Sequence, residues 1–223
     1  MIKNILELLY VFGMKGINMS TCFIVGAGDC KNLGINKKDG DLIIAADAGY
    51  QYLKNKGLTP DVVIGDFDSA PVPAHKNVIK LKVEKDETDM EMCMRHGMKE
   101  GFKNFVIFGG LGGKRLAHTI ANLQMICNYT KQGYNITMVG DETMITAIYN
   151  DYIVFPKGMK GDVSVFAHGD EAKGVTISGL KYEVSDVVLT SDFALGVSNS
   201  FVDTEARVEV KDGTLIVMWS VQK

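Results

Sequence analysis

Asp66 and Asp68 flank a single aromatic residue, Phe67, at the end of the run Pro60-Asp61-Val62-Val63-Ile64-Gly65-Asp66-Phe67-Asp68-Ser69. In an extended segment residues two apart point the same way, so the two carboxylates can converge on one hard cation while Phe67 anchors the loop in the core. A polar turn after a strand uses the same residue types, and these ten residues alone leave both readings open. Three further polar clusters each follow a strand-like apolar run. Leu42-Ile43-Ile44-Ala45-Ala46 delivers Asp47; Val78 to Val83 delivers Lys85-Asp86-Glu87-Thr88-Asp89; Phe105-Val106-Ile107-Phe108 delivers Gly109-Gly110-Leu111-Gly112-Gly113-Lys114-Arg115. In an open parallel sheet, ligands bind beyond the carboxyl ends of the strands, so the four clusters would share one crevice. Carboxylates for a cation, Lys and Arg for phosphate oxygens, and glycines that let main-chain N–H groups approach are the inventory for a metal-bound polyphosphate.

The elements that must position these groups fall into two patterns. From Thr21 to about Ala147, short apolar strands alternate with amphipathic helices, the rhythm of a mostly parallel sheet flanked by helices. After Asp89, Met90, Cys93, Met94 and Met98 recur at helical spacing, Thr88 or Asp89 can cap the start, and Gly101 ends the helix. Those methionines read as core against a sheet. Leu116, Ile120, Leu123 and Ile126 predict a second such face over 116–129. After about Tyr149 only strands follow: Tyr152-Ile153-Val154-Phe155, Asp162 to Ala167, Gly174 to Ile177, Val187 to Thr190 and Ala206 to Val210. Lys211-Asp212-Gly213-Thr214 reads as a tight hairpin, and the whole as a C-terminal all-β antiparallel sandwich.

Composition narrows the class. The 223 residues suffice for one large or two modest domains, and the net charge of −3 with mixed signs argues against a nucleic-acid partner. Cys22, Cys30, Cys93 and Cys127 fall in no metal-binding spacing and no disulfide framework, so they read as buried thiols in a reducing compartment. The apolar run Ile5 to Phe12 has a lone Lys3 ahead of it and no cleavage pattern behind it, and it is too short to span a bilayer. Residues 1–18 therefore read as a non-functional extension, followed by an α/β domain over 19–148 and a β domain over 149–223.

Each candidate also has a plainer role. Asp47 could be a helix N-cap, since it precedes Ala48-Gly49-Tyr50. Asp66, Asp68 and Asp89 gathered without a cation would repel one another, which favours a metal. The loop Gly109 to Gly113 lacks the Gly-x-x-x-x-Gly-Lys-Ser/Thr order, and Gly26-Ala27-Gly28 lacks the third glycine of a dinucleotide fingerprint. Four glycines between a strand and a helix nevertheless suit backbone contact with phosphate, and the planar Arg115 can bind it bidentately. Ser198-Asn199 and Trp219 by themselves are an ordinary turn and an ordinary buried aromatic.

Taken in order, Ala46-Asp47-Ala48-Gly49, Pro60-Asp61, Gly65-Asp66-Phe67-Asp68-Ser69, Lys85-Asp86-Glu87-Thr88-Asp89, the Gly109 to His118 loop, Ala121-Asn122, Gly179-Leu180-Lys181-Tyr182, Ser198-Asn199 and Met218-Trp219 resemble the thiamine pyrophosphokinase family. The resemblance covers about Thr21 to Trp219. It implies transfer of a pyrophosphoryl group from ATP to the thiamine hydroxyl, giving thiamine diphosphate and AMP. It further implies Mg2+ held by Asp66, Asp68 and Asp89, with Asp47 assisting the metal shell or receiving the hydroxyl proton. ATP would be bound by Lys85, Asp86, Thr88, Gly110, Gly112, Gly113, Arg115 and His118, and thiamine by Ser198, Asn199 and Trp219. A cytoplasmic homodimer with active sites at the subunit interface is implied as well, without nucleic acid or membrane partners. One position departs from the family pattern: Arg115-Leu116-Ala117-His118 carries Ala117 where the family usually has an acid. That departure leaves room for a pyrophosphokinase acting on another alcohol, such as a hydroxymethylpterin, or for a nucleotide-binding sensor that has lost turnover.

Overall fold

The structure, a computed structural model, describes residues 20–28, 33–68, 71–112 and 116–220. The extension at 1–18, Cys30, Ser69, Gly113, Lys114 and Arg115 lie outside the described residues. The chain divides into two compact units, one holding the described residues up to Met125 with Tyr134–Asp141, the other Ile126–Gly133 with the residues from Glu142.

In the first unit, six short strands run parallel: β1 (Thr21–Val25), β2 (Leu42–Ala46), β3 (Val62–Gly65), β4 (Val78–Lys80), β5 (Asn104–Phe108) and β6 (Asn135–Val139). Their order is β4-β3-β2-β1-β5-β6. A strand buried on both faces needs an unbroken apolar run, and Cys22, Phe23, Ile24, Val25, Ile44, Ala45, Val63, Ile107 and Phe108 are all fully buried. Strand β4 stops at Lys80, short of the Val83 that the apolar run suggested. The described helices are α1 (Gly49–Asn55), α2 (Asp89–Lys99) and α3 (Leu116–Lys131). Residues 66–77 between β3 and β4 carry no described helix, so helical cover is thinner than a strict strand-helix alternation predicts.

The helix starts explain the placement of the polar clusters. Thr88 caps α2, its Oγ1 accepting the Glu91 N–H at 3.1 Å, and Met90, Cys93 and Met94 bury one face. Past Glu100 the chain turns at Gly101, φ +91°. In α3 the expected apolar stripe is only partly internal. Leu116 and Ile120 are 69% and 52% exposed, while Met125, Ile126, Cys127 and Tyr129 are buried. The helical period identifies a face, but the first turn extends beyond the surface that covers the rest of it.

The second unit is antiparallel: β7 (Thr143–Tyr149), β8 (Tyr152–Phe155), β9 (Asp162–Ser178), β10 (Val184–Thr190), β11 (Asn199–Ser200), β12 (Ala206–Glu209) and β13 (Asp212–Ser220). The two strands expected at Asp162 to Ala167 and Gly174 to Ile177 are one strand of 17 residues, β9. Its first half pairs with β13 and β11, its second half with β10 and β12 and, at Lys173, with Asp212 of β13. Gly169, at φ +96°, lies between those halves and lets the strand pass from one layer to the other. The Asp212-Gly213 turn is likewise not a hairpin. It links β12, which pairs with β8 and β9, to β13, which pairs with β7 and β9. Its geometry is set by Asn150, whose Oδ1 accepts the Gly213 N–H at 2.8 Å. Phe155 of β8 meets Trp219 of β13 edge to face, with ring centroids 5.4 Å apart, at the centre of a core of Val163, Val165, Val208, Leu215 and Val217. Such a pair contributes ~1 kcal/mol beyond its buried area.

Candidate active site

Four of the predicted polar groups come together at the carboxyl ends of β2 and β3 and the start of α2. Asp47 follows β2 directly, and its N–H still donates to Ile64 O on β3 at 2.8 Å. Its backbone is left-handed, φ +47°. A Cβ at position 65 would approach Asp47 Cα to 3.0 Å, so Gly65 makes room for this turn. Asp47 is not the cap of α1: Ala48 occupies that position, without a side-chain cap bond. Its Oδ1 is buried and has no hydrogen-bond partner among the described residues. Burial pushes its carboxyl above the usual range; the Ala48 N–H opposes this, and the charges of Asp89, Asp66 and Asp68 add to it. An acid so placed is poised to take a proton or a cation.

Asp66 and Asp68 do not converge by strand alternation. β3 ends at Gly65, and Phe67 is left-handed at φ +55°, half-buried rather than anchored in the core. A local bond shapes the turn, with the Asp68 N–H donating to Asp66 Oδ1 at 3.2 Å. Holding a Phe in this region costs ~1 kcal/mol or more, the kind of strain that gathers at functional loops. Asp66 Oδ2 accepts from Lys85 Nζ at 2.8 Å, and Lys85 also donates to Lys82 O at 3.2 Å. Asp89 Oδ1 lies 3.0 Å from the same ammonium but off the line of a hydrogen bond. Burial opposes the charge on Lys85, yet its contacts with Asp66 and Asp89 outweigh that and raise its pKa. Asp68 and Asp86 are exposed, and Thr88 is engaged in capping α2.

Beside these acids, the loops after β1 and β5 interlock through backbone. The Gly26 N–H donates to Phe108 O at 2.8 Å and the Gly28 N–H to Gly109 O at 2.9 Å. A Cβ on Gly28 would fall 2.6 Å from Gly109 O, and one on Gly109 (φ +63°) would fall 2.5 Å from Gly26 O. Sequence reading set Gly26 and Gly28 aside for want of a third glycine; a Gly-x-Gly directly after a buried strand was the available signal. Asn122 was also missed as a functional residue. It is buried, and its Nδ2 donates to Gly110 O at 2.8 Å, fixing the loop from behind. An amide among the apolar positions of α3 was the clue. Gly112 and Ala117 are exposed and His118 is half-buried, while Gly113 and Arg115 lie outside the described residues.

In the second unit, the three predicted thiamine residues take different roles. Asn199 and Trp219 sit in register with Val163 on adjacent strands. The Asn199 side chain clamps the Gly179-Leu180-Lys181-Tyr182 segment: Oδ1 accepts the N–H groups of Tyr182 and Ser200, each at 2.9 Å, and Nδ2 donates to Tyr182 O at 2.6 Å. Trp219 is 1% exposed. Both side chains are committed to packing, and only Ser198, left-handed at φ +59°, is exposed.

The donor set suits a hard divalent cation: three carboxylates and a fourth with an unpartnered buried oxygen. The cluster is not preformed, for no three His, Cys, Asp or Glu side chains among the described residues stand at metal-site spacing. The Lys85 ammonium lies between Asp66 and Asp89 instead. Among the described residues no helix is long and apolar enough to cross a membrane.

Comparison with known proteins places this geometry. Residues 36–138 match the family model described as thiamin pyrophosphokinase, catalytic domain, and residues 152–215 match the thiamin pyrophosphokinase vitamin B1 binding domain. The chain is 24% identical to the thiamine pyrophosphokinase of Bacillus subtilis (strain 168) over 187 residues, 80% of this chain and 87% of that protein. The crystal structure of thiamine pyrophosphokinase from Bacillus subtilis superposes with a TM-score of 0.79 over 92% of this chain and all of the other. That from Geobacillus thermodenitrificans, 22% identical, superposes with a TM-score of 0.75 over 91% of this chain and 98% of the other.

Proposed function

The chain belongs to the thiamin pyrophosphokinase family, and from that premise we propose how its own residues transfer pyrophosphate from ATP to the thiamine hydroxyl, giving thiamine diphosphate and AMP. The carrying observation is the convergence of Asp47, Asp66, Lys85 and Asp89 at the carboxyl ends of parallel strands. Asp66, Asp68 and Asp89 would hold Mg2+, which when bound offsets the charge of the transferring phosphates. Asp47 receives the proton of the thiamine hydroxyl, since its raised pKa makes it a better base than an ordinary aspartate. Gly110 and Gly112 present backbone to the phosphates, with the loop held by Asn122 from one side and by Gly26 and Gly28 from the other. Lys85, Arg115 and His118 serve the phosphates, Thr88 holds the start of α2 by capping it, and Asp86, exposed beside Lys85, is left to meet ATP. Little covalent chemistry is asked of the protein; orientation and charge do most of it.

The division of labour assigns residues 19–148 to ATP and 149–223 to thiamine and dimerisation, and the match of 152–215 to a vitamin B1 binding domain supports the second half. Because Asn199 and Trp219 are packed inward, Ser198 is the thiamine contact we rank first, with the other two shaping its surroundings. A homodimer with sites completed by the partner, in the cytoplasm, is the assembly we assign. Among the described residues the thiols of Cys22, Cys93 and Cys127 are free and buried, which supports a reducing compartment.

The test is product analysis. Purified protein with ATP, magnesium and either thiamine or a hydroxymethylpterin should release AMP with thiamine alone. Asp66→Asn and Asp68→Asn should each abolish that release with the far-UV circular dichroism unchanged; near-normal rates at saturating magnesium would overturn the site.

A further inference from the structure

Lys85 stands where a cation belongs. Its Nζ is 2.8 Å from Asp66 Oδ2 and 3.0 Å from Asp89 Oδ1, and Lys82 O, at 3.2 Å, is a third oxygen on it. The three side chains are largely withdrawn from water, Lys85 at 14% exposed, Asp66 at 13% and Asp89 at 23%. Two carboxylates in such a place need a positive partner, and the chain supplies one from itself.

The tether is of a kind that can move. Lys85 lies in the irregular stretch between the end of β4 at Lys80 and the start of α2 at Asp89, and Lys82, Val83 and Glu84 beside it are exposed. Asp66, by contrast, follows directly on β3, and Asp89 opens the capped first turn of α2. The carboxylates therefore sit at element ends, while the ammonium rides on a flexible four-carbon stem.

We propose that Lys85 is a built-in counter-ion that a divalent cation must displace, and that the displaced ammonium then pairs with nucleotide phosphate. This rests on the metal-site reading above. Its consequence is an exchange of partners: the cation takes the carboxylates from Lys85, and the phosphates take Lys85 from the carboxylates. A cation alone leaves the ammonium without an anion, and a nucleotide alone finds the ammonium already engaged. Cation and nucleotide should each tighten the other's binding beyond their mutual contact.

Mn2+ without nucleotide is the probe, and the full chain is the sample. By calorimetry or electron paramagnetic resonance, Lys85→Met should bind Mn2+ about tenfold more tightly than the unaltered protein, as expected when a partly buried competing charge is removed. An unchanged or weaker affinity would overturn the proposal. A second measurement uses no Lys85 variant: amine acylation read by mass spectrometry should label Lys85 faster when Mn2+ is present, and unchanged or slower labelling would overturn it. The Asp66→Asn,Asp89→Asn double variant separates the two ideas. If it loses Mn2+ while Lys85→Met gains nothing, the counter-ion role fails and the metal site stands. If it binds Mn2+ undiminished, the metal site fails and takes the counter-ion role with it.

Discussion

Replacing Asp47 by Asn should make the metal-free protein more stable and the enzyme far slower. The carboxylate holds a buried Oδ1 with no hydrogen-bond partner and feels the charges of Asp89, Asp66 and Asp68. Asn leaves a polar atom in the same place, so what the substitution relieves is the partial burial and repulsion of a charge, and because Asp47 keeps part of its contact with water the gain is ~1 kcal/mol. Asn preserves the shape, tolerates the left-handed backbone at φ +47°, and carries no charge. A gain of ~1 kcal/mol in a protein of this size raises the melting temperature by about 2–4 °C. The pH dependence identifies the cause. A carboxyl whose folded pKa lies above its ordinary value of 3.8 is protonated in both states below that value, so the penalty on the native protein is absent there. It grows as pH rises through the folded pKa and is complete above it. The Asn variant's advantage should thus vanish as pH falls toward 3.8 and grow as pH rises above it. Scanning calorimetry of both proteins without divalent metal measures it, alongside AMP release, which should fall roughly 10²–10⁴-fold with loss of a general base. A variant that melts at or below the unaltered protein at neutral pH, or with an advantage independent of pH, would refute this account of Asp47.

Three other substitutions test the frame around the site. Gly49→Ala would set a Cβ 1.8 Å from the backbone oxygen of Val25, which cannot swing aside, and should cost ~3 kcal/mol, lowering the melting temperature by roughly 6–12 °C. Asn199→Ala removes the acceptor of the Tyr182 and Ser200 N–H groups and the donor to Tyr182 O; urea unfolding should register a loss of ~2–3 kcal/mol. Ala117→Asp adds a carboxylate to the exposed first turn of α3, where it should be neutral or stabilise by up to ~1 kcal/mol. Thiamine turnover should hold or rise, and a steep increase in the KM for ATP alone would show that this loop does not follow the family pattern.

The parallel sheet was legible because fully buried strands leave unbroken apolar runs, and each run ends at a polar cluster of the candidate site, Asp47, Asp66 and the glycines from Gly109. What was not legible was backbone sign. Asp47 and Phe67 both adopt left-handed conformations that their side chains do not announce, so a cap stayed open as the plainer role of one and strand alternation was expected at the other. The two strands expected at Asp162 to Ala167 and Gly174 to Ile177 are one strand bent at Gly169, because a glycine can end a strand or turn it and only the partners decide which. Asp212-Gly213 has hairpin chemistry, yet its flanking strands each find β9 instead. Lys85 was read as a phosphate ligand; its position between two acids depends on distances that spacing does not encode.

The length of β9 bears on the order in which the chain can fold. Its second half can zip onto β10 soon after synthesis, but its first half has no long partner until the chain has been extended to Trp219, opposite Val163. Contacts that far apart in sequence form slowly. Until they do, the interval exposes a half-paired strand whose edge can recruit a neighbouring chain. Aggregation of a refolding or newly made protein should therefore begin at Asp162 to Ala167, and a charged substitution on a solvent-facing position of that half should improve recovery without touching the chemistry.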